Sequence, residues 1–429
     1  MNLRCKKNLS PTENPEITLE VDEIAVSEVW LNLKIKKISS QLFFELERDG
    51  IVVWQGNVEN DTLIYDGSLE PYKNYHYQGT FLDNKTNEID ITTMDTTSHD
   101  ISWELQKFGD IGSSNLRDVV IINEDDIWLV GTIMARIMIP DILGYAGFHY
   151  SGVHWNGSSW EMRYIKDQNT QHNDRDLKIW GISHPASNLF LYGAFVSFEA
   201  GIFIGDNSFT AKNDNETKSQ ITRFWAASKD NIYACGKEGL LMCYQNNMWQ
   251  PVETRFSSDI KDIWGCVDEQ TGDNFIIGAV SLSSLTEETL KDYFEGLIKI
   301  NKNHSLENIV LPDIHHLPFV FPTTVWFKSP KKIYMGGGGL FELKKGKGWV
   351  EYQQFRWKYN VNSIRGNDIN DIFCVMDDGS IGHFNGKSWH FFSPPCFLKM
   401  TTLTVKDNLV IAVGEDGCQA CVLIGRKIN

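Results

Sequence analysis

No stretch of the chain approaches the roughly 20 consecutive apolar residues that a membrane-spanning helix needs, and all of its periodicity is β-like. Positive charge is also scarce: 40 Lys and Arg stand against 56 Asp and Glu, a formal net charge of −16. Such a balance repels a polyphosphate, and the pairs Lys36-Lys37, Lys331-Lys332 and Lys344-Lys345 are short and scattered, so nucleic acid is excluded as a partner. The acidity itself is read as solubility.

Cysteine is too sparse for a disulfide scaffold, at eight residues in 429. Cys235, Cys266 and Cys374 fall in apolar runs where a thiol fills space. Cys418-Gln-Ala-Cys421 has no partner Cys-x-x-Cys, and its odd separation within a strand sends the two sulfurs to opposite faces. Catalytic signatures are missing too: there is no Gly-x-Ser-x-Gly elbow, His-Glu-x-x-His, phosphate-binding Gly-Lys-Ser/Thr or dinucleotide Gly-x-Gly-x-x-Gly. The run Gly336-Gly-Gly-Gly339 has no helix after it and reads as a hairpin. The start, Met1-Asn-Leu-Arg-Cys5-Lys-Lys, shows no apolar core of a signal peptide.

What the chain does have is a phrase repeated about seven times: an apolar strand, Asn or Asp, Ile-Trp/Tyr-x-x-Gly, a hairpin and a closing Trp. The clearest copy runs Ile221-Thr-Arg-Phe-Trp225, Lys229-Asp-Asn-Ile-Tyr233-Ala-Cys-Gly236, Leu240-Leu-Met-Cys-Tyr244 and Gln245-Asn-Asn-Met-Trp249. Markers at Gly131, Gly193, Gly236, Gly278, Gly336, Met376 and Gly414 give intervals of roughly 62, 43, 42, 58, 40 and 38 residues. A four-strand unit with a period of about 40 to 45 residues is a propeller blade. The two long intervals come from insertions, one from Thr132 to Tyr145 and one from Ser281 to about Phe321. The seventh copy ends after three strands, whereas Asp100-Ile-Ser-Trp103-Glu-Leu-Gln, before the first copy, reads like a fourth strand. The segment 101–106 is therefore expected to pair with the C-terminal blade and close the ring.

Before Thr96 the period vanishes, and seven strands with alternating apolar positions follow one another, the signature of a sandwich. The expected division is a disordered segment over 1–13, a sandwich over 14–97 and a seven-bladed β-propeller over 98–429. The fold class is all-β. The phrase Leu69-Glu-Pro71-Tyr-Lys-Asn-Tyr75-His-Tyr77, with the tail Ile91-Thr-Thr-Met-Asp95, resembles a fibronectin type III domain. That resemblance implies that Tyr75 bonds back to backbone at a strand corner. The repeats resemble the bacterial, typically exported propellers built on a Trp-Gly/Asn-Asp-Ile-Trp-x-Val-Gly unit. Together the two resemblances imply an extracytoplasmic, cell-surface or secreted protein.

Fourteen tryptophans are expected mainly to fill the wedges between blades, a few being free to stack on a sugar or a partner's side chain. Paired acids such as Asp125-Asp126, Asp377-Asp378 and Glu415-Asp416 recur at equivalent turns, whereas a glycosidase acid pair is singular. His304 and His315-His316 in the long insertion, and His149 and His154 in the first copy, are read as loop residues without a metal. No cofactor is expected.

One first-strand position stands out as polar among apolar neighbours: Asp118, Lys178, Arg223, Asp262, Thr324, Ser363 and Thr404. These residues are expected to line the central channel, with Arg223 beside Asp262 as the core of a binding site. The function expected is a non-catalytic, monomeric binding or scaffold protein whose propeller meets a protein or glycan. The alternative is a polysaccharide hydrolase or lyase with its site at the channel mouth.

Overall fold

The structure is a computed structural model that describes residues 15–36, 41–139, 144–167, 178–186, 189–196, 199–205, 210–268, 272–281, 293–311, 321–356 and 360–428. The segment 1–13, residues 140–143 of the first insertion, and 282–292 and 312–320 of the second, His315-His316 included, lie outside the described residues. Among the described residues the regular structure is strand throughout, apart from a single 3-10 turn at Gln353–Phe355. The chain divides into two compact units, Met1–Thr97 and Ser98–Asn429.

The first unit has a three-stranded sheet of Glu16–Ile24, Glu28–Lys36 and Thr62–Gly67, in that order. Its second sheet runs in the order Ile51–Val58, Leu42–Arg48, Asn74–Phe81 and Asn84–Thr92. Alternation decides what lies between them: Leu31, Leu33, Phe44, Leu46, Ile64 and Tyr77 point inward and form one buried cluster. At the strand corner the Tyr75 hydroxyl accepts a hydrogen bond from the Glu70 amide at 2.8 Å.

The second unit repeats one arrangement, an antiparallel run of four strands with the first innermost, to which the second sheet adds Lys166–Asp167, parallel to Thr210–Thr217. Among the described residues there are seven such sheets, whose first strands are Asn115–Asn123, Lys178–Ala186, Ile221–Ser228, Asp259–Val267, Thr324–Trp326, Val361–Asp368 and Lys399–Lys406. Each first strand packs on the next, and the seventh packs on the first, so the series returns on itself. The seventh sheet takes its outer strand from upstream: Ile101–Phe108 pairs antiparallel with Ala420–Lys427. The strand expected over 101–106 thus runs two residues further.

The repeated phrase has a local physical cause. In most sheets the first strand carries a β-bulge, which presses its backbone against the glycine that ends the useful pairing of the second strand. A Cβ on Gly236 would sit 1.8 Å from the Gln220 carbonyl oxygen, so no larger residue fits there. Between sheets, apolar side chains from both faces interlock, as where Phe373, Val375, Leu403, Val410 and Leu423 form one buried cluster.

The closing seam is also polar. Ile428 donates its amide to the Asp100 carbonyl at 2.9 Å. His99 Nδ1 lies 2.8 Å from His383 Nδ1, and His383 Nε2 lies 3.2 Å from Asp371, which also meets Lys427. Desolvation keeps both imidazoles below their ordinary range, that of His99 down to about 4. In this chain His383 donates Nε2–H to Asp371 and accepts from His99.

Candidate functional site

The inner strands present two tiers of side chain toward the axis of the ring. The lower tier is the position singled out above, and the register refines which residues occupy it. Asp118 opposes Val130, Arg223 opposes Cys235, Asp262 opposes Ala279, Thr324 opposes Gly336 and Ser363 opposes Val375. In the second sheet the same place is taken by Gly181, opposite Gly193, and not by Lys178, whose side chain lies outside the described residues. In the seventh sheet it is Thr402, opposite Val413, while the half-buried Thr404 opposes Ile411 two residues further along.

These polar groups are ties between neighbouring sheets. Asp118 accepts the Ile182 amide at 3.1 Å, Asp262 the Val325 amide at 3.1 Å, Thr324 the Ile364 amide at 3.1 Å and Ser363 the Leu403 amide at 3.4 Å. In each case the acceptor sits on one first strand and the donor one residue past the equivalent position on the next. Each first strand is the edge of its sheet and leaves alternate N–H groups without a ladder partner, and the neighbour's short polar side chain satisfies one of them.

The expected pair of Arg223 with Asp262 is not the pair that forms. Asp262 is held by Arg365, whose Nη2 and Nη1 reach its two oxygens at 2.7 and 2.9 Å. Arg365 projects from the sixth sheet across the fifth, donating to the Ile364 and Val325 carbonyls on the way and lying 4.7 Å over the Trp264 ring. Arg223 is nearest Asp118, at 3.8 Å, and donates to the Thr222 carbonyl. A two-residue offset and a long side chain that skips a sheet leave no mark in a repeat pattern, which is why Arg365 escaped the sequence reading.

Electrostatically the two aspartates diverge. Burial pushes the Asp118 carboxyl up, since Arg223 stands off from it. Burial works the same way on Asp262, but the Arg365 contact overcomes it and holds the carboxyl below its ordinary range. Opposed carboxyls of this kind are the electrostatic pattern of an acid and base pair. Accessibility argues otherwise: Asp262 is 2% exposed and already accepts from the Ile263 and Val325 amides, Thr324 and both arms of Arg365. Its oxygens have no lone pair facing a substrate.

The upper tier consists of the bulged residues themselves, with Lys261, Asn362 and Thr401 offset from the ladder by the extra residue. Together with Arg223, Ser363 and Lys399 they line a cavity of about 260 Å³ where the first strands begin. Lys261 contacts Asp259 at 3.0 Å, and Lys399 lies 3.9 Å from Glu415 with its side chain 69% exposed. Asn362 donates to the Met400 carbonyl at 2.9 Å. The cavity is therefore rimmed by cationic and amide donors, with Asp262, already engaged in inter-sheet ties, in its wall. Among the described residues no group of His, Cys, Asp and Glu has the arrangement of a metal site.

Several other assignments can be placed. His154 is a strand residue, not a loop one, with Nε2 2.9 Å from Asp126, and Asp126 also accepts the Trp128 indole N–H at 2.8 Å. Cys418 is exposed in the bend before Ala420–Lys427, not in a strand as expected, while Cys421 is buried within that strand. Gly337 pairs with Gly339 in a hairpin.

No protein family matches the chain by sequence, and no curated protein matches it. Solved structures do. A structure described as YCF48 bound to D1 peptide aligns with a TM-score of 0.52 at 11% identity, over 76% of this chain and 95% of that one. The extracellular domain of the putative hybrid two-component system BT4673 from B. thetaiotaomicron aligns with a TM-score of 0.53 at 12% identity, over 75% of this chain and 40% of that one. The chain has a β-propeller fold. At these identities the likeness concerns the fold alone. Within the propeller, the strand starts form the mouth just described. No described helix is long and apolar enough to cross a membrane.

Proposed function

We propose that the chain is a non-catalytic binding protein: a seven-bladed propeller that meets a protein partner at its channel mouth, carried behind a fibronectin type III-like sandwich. The observation that carries this reading is that the acids at the inner strands are saturated by internal donors while cationic and amide groups face the cavity. The buried acids Asp118 and Asp262 are engaged with backbone amides and arginines, while Arg223, Lys261, Asn362 and Lys399 remain at the concave rim. Donors at a rim suit recognition of carbonyl and carboxylate groups, and catalysis requires an acid or base that can reach a substrate.

Three further observations support the parts of this reading. The series of sheets returns on itself through the strand Ile101–Phe108, which fits seven blades closed by an upstream strand. The sheet orders of the first unit and the Tyr75 corner fit a fibronectin type III-like sandwich. One structure of similar fold is described as bound to a peptide, and another as an extracellular domain, which supports a protein partner and an extracytoplasmic location.

The test is affinity selection from a random peptide library on the full chain, with a Lys261→Ala, Lys399→Ala double variant as counter-screen. Peptides that bind the parent and lose at least tenfold in affinity for the variant are expected. Selection of none, or equal binding to both proteins, overturns the proposal, as does turnover of a polysaccharide that is lost in Asp118→Asn.

A further inference from the structure

Among the described residues five outer strands of the propeller carry a tryptophan; after Trp160 the residue three positions on is Arg163, and after three of the others it is apolar and seals the next seam. After Trp249 it is Val252, buried among Ile260, Ile263 and Ile298 of the following sheet. After Trp349 it is Tyr352, 5.8 Å from the next sheet's Trp389 at a steep 78°. After Trp389 it is Phe392, 5.4 Å from Trp103. Trp103 itself lies in the closing strand, and there the residue three positions on is Gln106.

The substitution leaves an opening. A cavity of about 220 Å³ separates the closing strand from the first sheet, and its walls include Trp155, Trp160, Glu104, Gln106, Ser159 and Arg426. The two indoles stand 5.3 Å apart at 44°, both half-buried. Gln106 Nε2 donates to Glu104 Oε1 at 2.5 Å, which holds the carboxylate and amide side by side. Arg426 is exposed, and among the described residues no side chain pairs with its guanidinium. At this seam paired aromatics face a wall of carboxylate, amide and guanidinium.

We propose that this cavity is a carbohydrate subsite for a single pyranose ring. The C–H face of a pyranose is apolar and slightly positive and lies against the negative face of an indole. Its equatorial hydroxyls come in vicinal pairs that both donate and accept, which a carboxylate, an amide and a guanidinium answer in turn. The volume limits the occupant to about one ring, since it falls below the roughly 300 Å³ at which pockets for larger ligands begin. A phosphate is disfavoured by Glu104, and a purely apolar guest leaves three polar groups without partners. The subsite is distinct from the channel mouth and stands or falls independently of it.

The probe is a panel of methyl pyranosides of glucose, galactose, mannose and N-acetylglucosamine, read by saturation-transfer NMR and by tryptophan fluorescence on the full chain. At least one is expected to bind with a Kd in the millimolar range. Gln106→Leu, which supplies the apolar seal seen at Val252, Tyr352 and Phe392, is expected to abolish that binding while leaving the melting temperature unchanged or higher. Arg426→Gln, at an exposed position, is expected to weaken it at least fivefold and carries the test if the first variant folds poorly. Absence of binding by every pyranoside, or affinity unchanged in a folded variant, overturns the proposal.

Discussion

Replacing Arg365 by Met removes a side chain that reaches across three sheets, and the cost can be worked from its contacts. Asp262 loses two charge-assisted bonds of 2.7 and 2.9 Å at a site 2% exposed. Breaking a buried pair by deleting one partner costs about 3–5 kcal/mol, because the other charge stays buried. Asp262 keeps the Thr324 hydroxyl and two amides, and Arg223 lies within electrostatic reach, which places the expected loss near the lower end, about 3 kcal/mol. The pH dependence is the sharper signature. In the parent, the depressed Asp262 carboxyl contributes stability that is full above its ordinary value of 3.8 and lost as the pH falls through its lower folded value. In the variant, burial without the arginine raises the same carboxyl, so the protonated form is favoured in the folded state. The penalty is then smallest at acid pH and grows as the pH rises through the raised value. Urea unfolding followed by tryptophan fluorescence at pH 7.5 and pH 4.5 measures both quantities, with the propeller transition fitted separately from that of the first unit. A loss under about 1 kcal/mol at pH 7.5 refutes the reasoning, as does an equal loss at both pH values.

Glu104→Pro in the closing strand removes a ladder donor opposite Ile424 and is expected to destabilise the propeller by about 1–3 kcal/mol, seen as an early unfolding transition and as association on a sizing column. The His99 and His383 pair gives stability present above the unfolded histidine value of 6.5 and lost as the pH falls from there toward about 4, since the unfolded imidazoles bind protons first. Solvent screening at the partly exposed His99 reduces the effect to about 1–2 kcal/mol, and a His99→Gln variant is expected to flatten that part of the pH–stability profile. Tyr75→Phe removes the hydroxyl that accepts from Glu70 and is expected to cost the first unit about 1–2 kcal/mol, with the propeller transition unmoved.

The legible parts of this molecule are those set by local backbone chemistry. Turn residues, the Asn or Asp before each second strand and the marker glycine all follow from hairpins and from the close approach seen at Gly236, so the repeat and its missing outer strand could be read directly. Position within the inner strand was less legible. A bulge adds one residue to a period of two, and in the second sheet it falls between Ile179 and Gly181, which makes the equivalent residue Gly181, three past Lys178. The same slippage put Thr404 in the place of Thr402. The bulged residues Lys261, Asn362 and Thr401, which line the mouth, look in sequence like irregularities between the two positions that do repeat. Arg365 and the His99–His383 contact depend on which segments meet in space, across two sheets in one case and 284 residues in the other.

Hydrogen exchange on the full chain, with and without a peptide selected as above, tests the central claim most directly. The account predicts new protection confined to the strand starts that form the mouth, around 222–223, 260–262, 362–363 and 399–401, with the outer strands unchanged. Protection confined to outer strands or to the first unit, with none at the mouth, would contradict it.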